Sequence, residues 1–244
     1  MSLKSDLISA AMLLTRLPIR GTPTAVAAQA AWAWPVAGVA VAGLASVVGV
    51  VLITLGLLPG LAAALTLLLL VMLTGAMHED GLADFADGAW GGFTQERRLE
   101  IMRDSRIGTY GVIALVLSLL IRWLLLTEAA AQGTLLVAAI AAAMGSRAAM
   151  PVMMRWLPNA RADGMSRSAG VPSRQGMLAG LALASIPILL FGPSLAVPAI
   201  VIAAVLFATL GRVARAKLGG QTGDVLGATQ QVVEMGLLIG LVAL

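Results

Sequence analysis

The sequence predicts an all-α, polytopic membrane protein with about seven transmembrane helices. Its 244 residues are 59% hydrophobic and only 11% charged. The mean hydropathy is +0.96, and several apolar runs approach the length that crosses about 30 Å of hydrocarbon. A soluble fold would have to bury all of these runs in one core, which a chain of this size does not do. The sequence contains no cysteine, which excludes disulfides and thiolate metal sites.

Residues 1–20 predict an amphipathic or interfacial N-terminal helix. The apolar stretch 7–14 lies between Lys4 and Arg16, no small-residue cleavage site follows it, and Pro18 interrupts the pattern. These features favour a retained helix at the membrane surface over a cleaved signal peptide.

Seven apolar runs follow, and we expect each to form one membrane-spanning helix. They cover residues 34–58, 61–77, 107–127, 134–156, 177–191, 195–210 and 225–244. Glycine and proline between the runs mark helix ends, and the many small residues within them predict closely packed helices. No linker is long enough to divide the chain, so residues 1–244 are predicted to form a single domain.

The positions of lysine and arginine support this count and predict the orientation. The three short connections 58–61, 128–133 and 192–195 contain neither residue, whereas the other polar segments contain nearly all of them. Positively charged loops face the cytoplasm. The N-terminus and every long polar loop are therefore predicted to be cytoplasmic, and the C-terminus is predicted to lie outside.

The acidic stretch 78–88 carries the predicted chemistry. If it is helical, Asp80, Asp84 and Asp87 lie at about 0°, 40° and −20° around the axis, because each residue advances by about 100°. Three carboxylates on one face repel one another, and a shared hard cation such as Mg²⁺ or Mn²⁺ relieves the repulsion. Gly81 and Gly88 would let a phosphate group approach the backbone. The alternative is a solvated acidic turn at the membrane surface.

Arginine-rich segments are predicted to contact an anionic substrate. Arg103 and Arg106 precede a glycine-rich helix start and could hold diphosphate oxygens, while Asp104 supplies or orients a further metal ligand. Arg161 lies in the polar segment 159–167, which suits either anion contacts or anionic lipid.

A polar loop precedes the last predicted span, and single charged residues lie within the last and the third spans. Gln221, Thr222 and Asp224 belong to a glycine-rich loop that would let phosphate approach, although it lacks the Lys-Ser/Thr of a P-loop. Glu234 in this span and Arg122 in the third are costly in lipid, so we expect both to face the bundle interior; Arg122 could instead extend to the membrane surface.

A metal held by carboxylates with arginines nearby favours phosphoryl or nucleotidyl transfer over acyl transfer. No cysteine, Ser-His or lysine nucleophile arrangement is present in the sequence. The alternatives are a CDP-alcohol-type phosphotransferase of phospholipid synthesis and a cation-coupled transporter. A transporter would distribute its acids through the bilayer, whereas these cluster at one face. No nucleic-acid partner is expected.

Three motifs, at 78–88, 99–111 and 220–228, together with the opening Leu-Thr-Arg-Leu-Pro at 14–18, resemble cobalamin synthase, the adenosylcobinamide-GDP ribazoletransferase family. The resemblance covers essentially the whole chain. The acidic motif is also similar, more loosely, to that of the CDP-alcohol phosphotransferases. Their Asp-Gly-x-x-Ala-Arg continuation is absent here, since Phe85-Ala86-Asp87 follows Asp84.

The family resemblance implies a late step of vitamin B12 biosynthesis in the bacterial cytoplasmic (inner) membrane. Adenosylcobinamide-GDP would react with α-ribazole or its 5′-phosphate, giving adenosylcobalamin or its 5′-phosphate and GMP, with Mg²⁺. A corrinoid is far larger than the gap between two helices, so we expect either a wide cytoplasmic cavity or a homo-oligomer with a shared interface.

The residue roles predicted for this reaction fall into three groups. We expect Asp80, Asp84 and Asp87 to hold the cation and the arginines to offset the remaining charge of the diphosphate. Asp87 or His78 would take the proton of the attacking hydroxyl. His78 could equally brace the start of its helix.

Overall fold

The computed structural model describes residues 2–244, which form eleven α-helices and one 3-10 helix and contain no β-strand. The α-helices are α1 (Leu3–Leu14), α2 (Trp34–Thr54), α3 (Pro59–Thr74), α4 (Met77–Gly91), α5 (Gln95–Ile101), α6 (Thr109–Ala131), α7 (Leu135–Trp156), α8 (Met165–Ala169), α9 (Arg174–Leu189), α10 (Pro193–Leu218) and α11 (Gly223–Val242). The 3-10 helix, Ala27–Ala33, leads directly into α2. All seven predicted runs are helical, which confirms the all-α membrane bundle.

Length and composition identify five candidate membrane spans within residues 2–244, or six if a bent pair counts as one. The five are Ala27–Thr54, Thr109–Ala131, Leu135–Trp156, Pro193–Leu218 and Gly223–Val242. The bent pair is α3 with α4, and α9 is apolar but only 16 residues long. The prediction of about seven spans is therefore roughly met, with α3 and α9 as the short members.

The junction between α3 and α4 gives the acidic helix its direction. Gly75 ends α3 in the left-handed region at φ 65°, and Ala76 follows at φ 57°. This region suits glycine and is strained for alanine. The chain bends by 86° here, so the predicted run 61–77 ends at Thr74 and the acidic residues begin a separate helix. The later part of α4, with Asp84 and Asp87, lies at the start of α6, so we place that part outside the membrane-spanning segments.

Small residues bring the long helices into contact, as the sequence predicts. A Cβ added at Gly38 of α2 would lie 2.7 Å from the carbonyl oxygen of Ala143 in α7. A Cβ added at Gly236 of α11 would lie 2.9 Å from the Cα of Ala203 in α10. Such approaches let van der Waals contact act between backbones where burial from water does not drive packing.

The N-terminal helix α1 is anchored to the segment before α2. The buried carboxylate of Asp6 accepts hydrogen bonds from Trp32 Nε1 at 2.9 Å and from Thr24 Oγ1 at 2.5 Å. Leu3 and Leu7 stay exposed, as an interfacial helix requires. Leu13 and Leu14, at the end of α1, line the cleft of the functional site.

Candidate functional site

A cleft of about 210 Å³ lies where α4 meets the start of α11. One wall is polar and comes from α4, the segment 159–167 and the loop before α11. The opposite wall is apolar and includes Trp34, Met150 and Met154. A cleft with one polar and one apolar wall suits a ligand that has a charged part and a large apolar part.

Two glycines hold α4 directly against α11. A Cβ added at Gly81 would lie 3.0 Å from the carbonyl oxygen of Asp224 and 3.1 Å from the Cα of Gly227. The helices therefore touch at their backbones, and Asp80 and Asp224 both line the cleft. Gly81 acts first as a packing residue, and its predicted contact with phosphate remains a prediction.

Asp84 follows Asp80 by one turn and shows the electrostatic character of this junction. Partial burial and the neighbouring carboxylates of Asp80, Asp224 and Asp87 raise the pKa of Asp84 to about 7, against an opposing effect of Arg161. Carboxylates that cannot all ionise without a counter-charge favour a bound cation or proton. Asp80 and Asp224 line the cleft, whereas Asp84 lies outside its lining and stays a predicted ligand near both of them.

Arg161 brings positive charge to this junction. Its Nη2 donates to the carbonyl oxygen of Leu99 at 2.8 Å, and its Nη1 lies 3.6 Å from Asp224 Oδ2. The guanidinium is thus oriented by the backbone of α5 and lines the cleft, as predicted for an anion-binding residue. Arg167 lines the same cleft and is exposed.

The loop before α11 holds Asp224 in place. The backbone of Gln221 pairs with that of residues 158–160, and its side chain donates to Asn159 Oδ1 at 2.8 Å and accepts from Ser166 Oγ. Thr222 Oγ1 caps α11 by accepting from the N–H of Val225 at 3.3 Å, and it donates to Asp224 Oδ2 at 3.1 Å. Gln221 and Thr222 therefore order the loop, and they line the cleft as well.

His78 lies at the base of the cleft with only 2% of its surface exposed. Its Nε2 has no hydrogen-bond partner among residues 2–244. The same side chain borders a small polar cavity on the other side, between α4, α6, α7 and α11. His78 thus separates the cleft from a buried group of charged residues.

Asp87 departs from its predicted role as a metal ligand and base. Its Oδ2 accepts the N–H of Gly108 at 2.7 Å, and its Oδ1 accepts the N–H of Gly111 at 2.8 Å. The buried carboxylate therefore caps the first turn of α6, where free N–H groups and the helix dipole favour negative charge. Periodicity places Asp87 on the predicted face, but α6 meets that part of the face and donates one backbone N–H to each oxygen.

Asp104, Arg103 and Arg106 lie outside the cleft lining. Arg106 donates to Asp104 at 2.8 Å, and these hydrogen bonds lower the pKa of the exposed Asp104 carboxyl. Arg103 forms an exposed ion pair with Asp163 at 2.6 Å. The structure therefore does not bring Asp104 to the acidic cluster or Arg106 to the cleft. Arg103 reaches only the edge of the cleft, through its ion pair with the lining residue Asp163.

Gly88 serves packing instead of the predicted approach of phosphate. A Cβ there would lie 2.7 Å from Met102 Sδ and 3.0 Å from the carbonyl oxygen of Arg98. Gly88 thus allows α5 to fold back against α4.

Several residues that line the cleft were not selected from the sequence. Asn159, Asp163, Ser166 and Arg167 all lie in or next to the polar segment from which only Arg161 was chosen. The hydrogen-bonding composition of that segment was the available signal. Trp34 gave no such signal, because an aromatic residue at the start of an apolar run is typical of any membrane helix.

The donors at the α4–α11 junction have the chemistry of a hard divalent cation site. Asp80, Asp84 and Asp224 offer carboxylate oxygens, which Mg²⁺ prefers. The pKa of Asp84 is raised by its partial burial first and by the neighbouring carboxylates second. No three acidic or histidine side chains in the described part of the chain already converge on one point. The junction therefore matches the cation by the type of its ligands, while three of them do not yet meet at one point.

The sequence is similar to that of known proteins over almost its whole length. Residues 6–242 match the family model described as cobalamin-5-phosphate synthase. Proteins named adenosylcobinamide-GDP ribazoletransferase from Mesorhizobium japonicum and Bradyrhizobium diazoefficiens are each 44% identical over 96% of this chain, covering 91% and 92% of their own lengths. The protein of that name from Azorhizobium caulinodans is 48% identical over 86% of this chain and 82% of its own. No solved structure matches.

Proposed function

Because the chain belongs to the cobalamin-5-phosphate synthase family, we propose that it joins adenosylcobinamide-GDP to α-ribazole or α-ribazole 5′-phosphate. The products are adenosylcobalamin or its 5′-phosphate, together with GMP. The observation that carries the proposal is the cleft at the α4–α11 junction, where Asp80, Asp224 and Arg161 face an apolar wall. The charged side chains suit a diphosphate and its cation, and the apolar wall suits a large apolar ring system.

The reaction is the transfer of a substituted phosphoryl group. A hydroxyl of the ribazole attacks the phosphorus attached to the cobinamide, a new O–P bond forms, and the bond to the GMP phosphate breaks. Such transfers depend on positioning and on neutralising negative charge. When bound, Mg²⁺ would supply part of that neutralisation, and Asp80, Asp84 and Asp224 are the residues that would hold it.

The protein's own side chains account for the remaining tasks. Arg161 and Arg167 bind phosphate oxygens from the polar wall, and the fixed direction of the Arg161 guanidinium orients the diphosphate. Since Asp87 is committed to α6, His78 is the predicted acceptor that remains for the hydroxyl proton. His78 borders the cleft, and its buried Nε2 has no hydrogen-bond partner among residues 2–244.

The enclosed space of about 210 Å³ suits the diphosphate region and part of a nucleotide, but not an entire corrinoid. We therefore place the corrin ring at the open side of the cleft. We propose that this opening lies on the cytoplasmic face of the bacterial inner membrane, where soluble substrates can reach it; the positive-inside pattern supports the cytoplasmic orientation.

The test is to follow products from purified protein in lipid with Mg²⁺, adenosylcobinamide-GDP and either form of α-ribazole. We expect release of GMP together with an equal amount of joined corrinoid. A parallel reaction contains a CDP-alcohol and a diacylglycerol-like or alcohol acceptor. Release of CMP there, with no GMP from the corrinoid reaction, would replace the proposal by a phospholipid phosphotransferase.

A further inference from the structure

Arg122 is a buried cation that connects the two helices of the proposed site. It lies in the middle of α6, with 3% of its side chain exposed. Its Nη1 donates to Glu79 Oε1 of α4 at 2.8 Å, and its Nη2 lies 2.9 Å from Glu234 Oε1 of α11. Nη1 also donates to Gln231 Oε1 of α11 at 2.9 Å. One guanidinium therefore binds both helices at once.

Its partners lie close in sequence to the proposed cation ligands. Glu79 immediately precedes Asp80, and it projects from α4 about 100° away from it. Gln231 and Glu234 continue the helix that begins next to Asp224. Gln231 Nε2 also donates to Glu79 Oε1 at 3.0 Å, so α4 and α11 are linked directly as well.

This arrangement fixes the rotation of the first turn of α4, while the bonds of Asp87 to α6 hold the other end of the helix. The Gly81–Gly227 approach brings α4 and α11 together, but a contact between glycines allows either helix to turn. The bonds of Arg122 to Glu79 and Glu234 remove that freedom, because a turn of α4 would leave a buried charge without its partner. With α4 fixed, Asp80 is directed toward the cleft and toward Asp224.

Two acidic and two basic side chains form a buried cluster, and their charges balance only when all four are counted. Glu79 and Glu234 are opposed by Arg122 and by the fully buried Arg147, whose Nη1 donates to the carbonyl oxygen of Ala143 at 3.1 Å. All four line one small cavity, which His78 separates from the cleft. The cluster thus lies directly beneath the proposed site.

We infer that Arg122 is a positioning residue that sets the orientation of the cation-binding carboxylates through Glu79 and Glu234. The inference rests on the proposed function, because it concerns the cation site at Asp80, Asp84 and Asp224. It assigns Arg122 no contact with the substrate.

The test measures Mn²⁺ affinity by electron paramagnetic resonance on the full-length protein in detergent, together with its thermal unfolding. The double variant Arg122→Met/Glu79→Gln removes one cation and one anion, so Glu234 and Arg147 stay balanced. We expect it to fold and to bind Mn²⁺ about 10–100-fold more weakly, as loss of groups that orient metal ligands typically does. Glu128→Gln, at an exposed position of the same helix, is the matched control and should bind like the wild type.

Arg122→Lys provides a second variant should the double variant fail to fold. Lysine keeps the buried charge but cannot reach two carboxylates with a planar fork, so Mn²⁺ binding should be weakened in a folded protein. Wild-type affinity in a folded double variant, or in Arg122→Lys, would overturn the inference.

Asp80→Asn separates this failure from that of the proposed function. If Asp80→Asn loses Mn²⁺ while the Arg122 variants keep it, only the positioning role is wrong. If Asp80→Asn binds Mn²⁺ like the wild type, the cation site lies elsewhere and both the proposed ligands and the positioning role fall.

Discussion

Replacing Asp87 by asparagine should destabilise the protein without removing its cation site. In the structure both carboxylate oxygens accept backbone N–H groups of α6, at 2.7 Å and 2.8 Å. Asparagine keeps one acceptor but turns an NH₂ group toward the other N–H. The variant thus loses one hydrogen bond, leaves a donor unpaired and removes negative charge from the start of a helix.

The size of this effect follows from the two contacts. A hydrogen bond to a charged group contributes about 1.5–3 kcal/mol, and a carboxylate at a helix N-terminus adds about 0.3–1 kcal/mol. We expect the free energy of unfolding to fall by roughly 2–4 kcal/mol, which for a chain of this size lowers Tm by roughly 4–16 °C.

The assay combines thermal unfolding in detergent with Mn²⁺ binding at low temperature. Asp87→Asn should show the lower Tm with near wild-type Mn²⁺ affinity, whereas Asp80→Asn should keep the Tm and lose Mn²⁺. An Asp87→Asn protein that unfolds like the wild type but no longer binds Mn²⁺ would refute this reasoning and restore Asp87 as a ligand.

Three further predictions concern the cleft. Gly227→Ala should force α4 and α11 apart, since its Cβ would lie 3.1 Å from the Cα of Gly81. It should therefore lower both Tm and activity. The control is Gly43→Ala, where a Cβ meets nothing within 4 Å, and it should leave both unchanged. Because Asp84 has a pKa of about 7 without a cation and binds metal only when deprotonated, Mn²⁺ affinity should rise with pH through about 7, and Asp84→Asn should flatten that rise. His78→Gln should lower kcat with little change in KM, measured by GMP release. A variant with a raised KM and an unchanged kcat would argue against a role of His78 in proton transfer.

The helical architecture could be predicted from the sequence because lipid imposes simple demands on composition. Long apolar runs and the positions of lysine and arginine identify the helices without any knowledge of their neighbours. The bend at Gly75 and Ala76 could not be predicted, since an alanine with positive φ follows from the packing of α4 and not from its own preference.

The candidate site was predictable to the extent that it depends on one helix. Periodicity places Asp80, Asp84 and Asp87 on one face of α4, but it does not say which neighbouring element meets each part of that face. The start of α6 meets Asp87, and the start of α11 meets α4 at Gly81, next to Asp80. The role of Asp224 as a neighbour therefore emerged only from the packing of two helices that are far apart in sequence.

The arrangement of the buried charges was also predictable only in part. The cost of charge in lipid predicts that Arg122 and Glu234 face the interior, and the structure confirms this. The pairing of Arg122 with Glu79 and Glu234 depends on three helices meeting at one depth. For this the sequence offers only the general signal that buried charges of opposite sign are found in pairs.

In the proposed reaction, carboxylates of α4 and α11 together support the joining of α-ribazole to the GDP-activated corrinoid. The most direct measurement is GMP release and joined corrinoid formed by wild type, Asp80→Asn, Asp224→Asn and the exposed control Glu96→Gln, each reconstituted in lipid with Mg²⁺. We predict that the control matches the wild type while both aspartate variants lose activity by about 10²-fold or more, the scale of losing one electrostatic contact to the transition state. Wild-type rates in Asp80→Asn and Asp224→Asn would contradict the claim.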